Sequence, residues 1–127
     1  MKLRLQHNSI RLRLKRNEVK QIAETGWLEE RIVCGADPEQ VLTYVLEATE
    51  KVTTPCAHLS ATAVRVQAPI DIVRRWASGS DIGIDYAYSV GSGEELRILI
   101  EKDFACLDGT DEQNFDTFPN PLVGTKC

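Results

Sequence analysis

Residues 18–48 and 72–102 carry the same pattern of apolar, charged and turn positions, and this correspondence constrains the fold more than any other feature of the chain. Glu18 falls on Ile72 and Ala48 on Lys102, a constant offset of 54 residues with no gap. Val19, Ile22 and Ala23 match Val73, Trp76 and Ala77, one apolar helical face in each half. Leu28 and Ile32 match Ile82 and Tyr86, and Leu42-Tyr44-Val45-Leu46-Glu47 matches Leu96-Ile98-Leu99-Ile100-Glu101. The strand before each helix, Leu12-Arg13-Leu14 or Val64-Arg65-Val66, aligns at an offset of 52, with Ala68-Pro69 as the difference. An internal duplication is the expectation.

Each half then reads as β-α-β-β. Leu3 and Leu5, then Ile10, Leu12 and Leu14, alternate with Lys2, Arg4, Arg11, Arg13 and Lys15, which predicts a hairpin turning at His7-Asn8. Asn17 is a candidate cap for a helix over 18–26 stopped by Gly26, with a second helix over 72–80. Strands are expected over 27–34 and 41–48, the first directing Leu28, Ile32 and Cys34 to the core. The predicted fold is α+β: about seven mostly antiparallel strands in a curved sheet or partly closed barrel, with two short helices.

A length of 127 residues suits one domain, with repeat 1 over about 1–50, repeat 2 over about 57–104 and a strap over 105–127. Leu107, Phe115, Phe118, Leu122 and Val123 punctuate that acidic, turn-rich segment, so it is expected to pack on the body. The N-terminus alternates leucine with charge and has no continuous apolar run, and the four cysteines form no CxxC pair. Reduced thiols and a cytoplasmic location follow as expectations.

The two ends together, MKLRLQHNSIRLRLKRNEV and EKDFACL followed by DEQNFDTFPNP, resemble a family of small bacterial proteins catalogued only as a domain of unknown function. The resemblance extends over essentially the whole chain and implies a bacterial cytoplasmic protein. It carries no activity, cofactor or catalytic residue.

The net charge of −4 conceals two poles: seven bases against Glu18 in residues 1–20, and six acids against Lys102 in residues 101–116. The acidic cluster suggests divalent-metal candidates in Asp103, Cys106, Asp108, Asp111, Glu112 and Asp116. It lacks the ladder of a calcium loop, and a solvated loop, or acids paired with the basic hairpin, is the simpler reading. Cys106, flanked by Ala105, Leu107 and Asp108, reads as a buried structural thiol. His7 and His58 read as a turn and a strand-edge residue, with no triad around either. Gly91-Ser92-Gly93 opens no helix and is a hairpin connection, not a phosphate loop. The basic face Lys2-Arg4-Arg11-Arg13-Lys15 has no interleaved aromatic residues, which disfavours nucleic acid.

No catalytic residue or cofactor is assigned. A noncatalytic module for a protein or small-molecule partner, with no membrane role, is the expected function. A small metal- or thiol-dependent enzyme centred on the acidic C-terminal segment is the alternative. A ligand is expected where the two repeats meet.

Overall fold

The computed structural model of the chain describes residues 1–104 and 116–118. The first half runs β1 (Lys2–Gln6), β2 (Ser9–Leu14), α1 (Arg16–Thr25), β3 (Trp27–Val33) and β4 (Val41–Thr49). The second runs β5 (Cys56–Leu59), β6 (Ala63–Pro69), α2 (Ile70–Ser78), β7 (Gly83–Gly91) and β8 (Glu94–Lys102).

The strands form two separate four-stranded sheets, ordered β1-β2-β8-β7 and β3-β4-β6-β5. This overturns the expected single curved sheet or partly closed barrel of about seven strands. Two physical causes account for the difference. Each helix carries the chain from one sheet to the other, so the hairpin that follows it cannot continue the sheet that precedes it. The missed strand is β5, four residues following Thr53-Thr54-Pro55 and too short for its alternation to register. Each half therefore contains one strand more than β-α-β-β.

Both sheets are mixed. Antiparallel hairpins flank a central parallel pair, β2 with β8 in one sheet and β4 with β6 in the other. Leu12 lies opposite Ile100, and Leu46 opposite Val66, all four essentially buried. Strand alternation sends these residues inward and Arg4, Arg11 and Arg97 outward on the first sheet.

Val19 and Ile22 on α1, and Val73 and Trp76 on α2, complete one core cluster shared by both sheets. Side chains also stitch the sheets at their margins. Near β1, the Met1 ammonium pairs with Glu18 and lies 2.6 Å from Glu30 Oε1, while Tyr44 donates its hydroxyl to the Met1 carbonyl at 2.8 Å. At the other margin the Ala57 N–H donates to Tyr88 Oη at 2.9 Å.

The helix ends differ from expectation in detail. Lys15, not Asn17, is the N-cap of α1, and its N–H donates to Glu18 Oε1 at 2.9 Å. Gly26 ends α1 at φ 74, where an added Cβ would meet the Ala48 carbonyl oxygen at 2.9 Å. Cys34 and Ile32 are both exposed, not core-facing, because the core reaches only the start of β3, where Leu28 is the strand's one buried residue. No helix among the described residues is long and apolar enough to cross a membrane.

Candidate functional site: a cleft between the two helices

The amphipathic helices bury one face each and leave their shoulders facing one another. Between those shoulders lies an open cleft of about 710 Å³. Val19, Ala23 and Ala77 give it apolar walls, and Phe118 closes one side. Arg16, Lys20 and Arg74 are the cations lining it, with Glu24 and Asp116 as the acids. Lys20 and Arg74, both exposed, are related by the same 54-residue offset as Ala23 and Ala77.

Residues 116–118 are held at this site by specific contacts. Asp116 accepts from two free donors at the start of α1: its carbonyl from Arg16 N–H at 3.0 Å, its Oδ2 from Asn17 N–H at 3.2 Å. A carboxylate at a helix N-terminus is favourable both as a hydrogen-bond acceptor and against the helix dipole. Phe118 N–H donates to the Asp103 carbonyl at 2.8 Å. The Phe118 ring packs edge-on against Phe104 at 5.9 Å, and the Arg16 and Lys102 cations lie 5.8 and 5.6 Å from its centroid.

Of the six residues singled out for metal binding, Asp103 and Asp116 are placed, and they are engaged separately. Asp103 is buried, with Oδ2 2.9 Å from Lys2 Nζ; the contact is an ion pair without hydrogen-bond geometry. Cys106, Asp108, Asp111 and Glu112 lie outside the described residues. Among the described residues no group of three or more His, Cys, Asp or Glu side chains is positioned to hold a metal. Two acids at the C-terminal end of β8, Glu101 and Asp103, do meet the basic hairpin. Besides Asp103 with Lys2, Glu101 takes a forked contact from Arg11, with Nη2 to Oε2 at 3.1 Å.

His7 sits in the β1–β2 turn at φ 50, so the histidine rather than Asn8 adopts the left-handed conformation. Gly91-Ser92-Gly93 joins β7 to β8 as the expected connection, all three residues at positive φ. His58 is not isolated. Its Nε2 lies 3.7 Å from Cys56 Sγ, and the thiol lies 3.9 Å from Gln67 Oε1. Gln67 in turn donates Nε2 to Glu47 Oε1 at 2.6 Å. The signal for this group was present in Cys56-Ala57-His58, since residues two apart on a strand share a face. Without β5 recognised as a strand, that signal had no meaning.

Residues 1–122 match a family of unknown function, DUF7009, and the chain belongs to that family. No curated protein and no solved structure matches the chain.

Proposed function

We propose that this protein is a noncatalytic binding module whose ligand, an organic anion with an apolar body, lies in the cleft between α1 and α2. The observation that carries the proposal is the lining of the cleft: apolar walls from Val19, Ala23 and Ala77, with Lys20 and Arg74 at its rim. Small-molecule sites commonly combine apolar walls with a few convergent polar groups. Asp116 is already committed to the backbone donors at the start of α1, which leaves Lys20 and Arg74 at the rim available to an anion.

The same reading treats the chain as one duplicated domain over residues 1–127, acting in the bacterial cytoplasm. The matched helix positions, the twofold occurrence of β-β-α-β-β and the shared core support duplication and a single domain. Free Cys34 and Cys56 suit a reducing compartment. On this view the cleft lies where the repeats meet, and the equivalence of Lys20 with Arg74 follows from it.

Anilinonaphthalene sulfonate, an apolar anion, is a suitable probe. Fluorescence titration should find one saturable site per chain. Ala77→Trp, which fills the cleft, and the double variant Lys20→Glu, Arg74→Glu should each weaken binding by about tenfold or more, roughly 1.4 kcal/mol. Unchanged binding in both variants would overturn the proposal.

A further inference from the structure

The outer face of the β1-β2-β8-β7 sheet carries arginines that the helix cleft does not use. Register sets Arg4 directly opposite Arg11, and Arg97 opposite Ser9 on the neighbouring strand. Strand alternation turns all of them to the same side. Ser9 is too short to fill the space among these long side chains, and a basin of about 440 Å³ remains. Asn8 and Glu95 border its other end, where Asn8 Nδ2 donates to the Glu95 carbonyl at 2.9 Å.

Like charges directly opposite on paired strands are destabilising unless something offsets them. Arg11 forks onto Glu101, and Arg97 forks onto Asp85 at 3.0 and 2.6 Å. Those two carboxylates line a separate, adjoining dip beside Gly83 and do not line the basin. Each fork engages Nε and Nη2 and leaves the other guanidinium donors free. The acids therefore hold both groups in place without exhausting them. Arg4 has no acid partner among the described residues.

The basin is cationic at one end and polar at the other. Guanidinium groups match phosphate oxygens in geometry as well as charge. Glu95 lies about 13 Å along β8 from Leu99, the residue opposite Arg11. A dianion beside Glu95 would be repelled, whereas hydroxyl groups there find an acceptor. The two ends thus ask for different parts of one ligand.

We propose that this basin binds a phosphomonoester of a polyhydroxylated small molecule, of the sugar phosphate class. Arg4, Arg11 and Arg97 hold the phosphate, and Glu95 and Asn8 receive the hydroxyl groups. The site shares no residue with the cleft between α1 and α2, so the two readings stand or fall separately.

Ribose 5-phosphate is the probe for isothermal titration calorimetry, beside inorganic phosphate and ribose. The wild type should bind one ribose 5-phosphate per chain, at least about tenfold more tightly than either fragment. Arg4→Gln and Arg97→Gln should each weaken that binding by about tenfold or more. Glu95→Gln should narrow the gap between ribose 5-phosphate and inorganic phosphate. The cleft variant Lys20→Glu, Arg74→Glu should leave the affinity unchanged, which separates this site from the one between the helices. Far-ultraviolet circular dichroism would confirm that each variant is folded. No saturable binding at millimolar probe, or binding that survives both arginine variants, would overturn the proposal. Tighter binding of a single-stranded oligonucleotide, lost in the same variants, would overturn it too, since the arginines would then track a nucleic-acid backbone.

Discussion

Lys102 Nζ donates to the Gly79 carbonyl at 2.8 Å, so a lysine from β8 closes the C-terminal end of α2. At the corresponding end of α1 the left-handed Gly26 does this work through backbone alone, with Ala48 where the second half has Lys102. The ammonium is buried against the faces of Trp76 and Phe118, 5.9 and 5.6 Å from their centroids. It is a favourable place for a cation near a helix C-terminus, bought with desolvation.

That desolvation sets a pH dependence. Burial holds the Lys102 amine below its ordinary value of 10.5, with Asp81 offsetting part of the effect. In the interval between the lowered folded value and 10.5, the unfolded chain binds more protons, so this residue makes stability rise with pH. Chemical denaturation across that interval should show the rise in the wild type and lose it in Lys102→Met. Lys102→Ala, which strands the Gly79 carbonyl, should cost about 1–3 kcal/mol.

Phe118 should hold the strap more strongly than Asp116. Its partly buried ring is expected to contribute about 1.5 kcal/mol, the low end for such a side chain, whereas removing a helix-terminal acceptor costs about 1 kcal/mol. In Phe118→Ala, hydrogen exchange at the Phe118-equivalent amide and at Arg16 should accelerate together, because both bonds depend on the same docking. Asp116→Asn keeps an acceptor and should leave exchange nearly unchanged, and added salt should have little effect. Equal acceleration in the two variants would reverse this ranking.

Leu12 and Leu46 lie in different sheets yet in one core. Leu12→Ala and Leu46→Ala should each cost about 2–5 kcal/mol, and each should shift the whole unfolding transition. Calorimetry that resolved two transitions, only one responding to each variant, would rule out a single cooperative domain.

Gly26→Ala combines a positive φ with a 2.9 Å approach to the Ala48 carbonyl oxygen. A loss of about 1–3 kcal/mol is expected, read as a lowered denaturation midpoint with unchanged slope.

Local pattern was legible in the sequence, and long-range pairing was not. Leu12 and Leu14 declared their buried face through strict alternation, and Val19-Ile22 and Val73-Trp76 declared two helices. The parallel pairing of β2 with β8 joins residues such as Leu12 and Ile100 across most of the chain. Alternation reports which face a strand buries, never which strand lies beside it. The cleft was foreseen only as a junction between repeats, since Arg16, Lys20 and Arg74 look like any solvated helix face until both helices are in place. The Cys56–His58 group was lost with β5, whose four residues are too few to display a period.

Each sheet is woven from one hairpin of either half, so neither half owns a complete sheet. A chain divided between Thr49 and Cys56 would yield two pieces, each presenting the unpaired margins of β2 and β4, or of β6 and β8. Such pieces have strong reason to find each other and none to fold apart, which makes the link between the halves a natural place for fragment complementation. The same interlacing lets two whole chains trade halves without creating any new strand pairing, so reciprocal exchange is the oligomer this topology most readily admits.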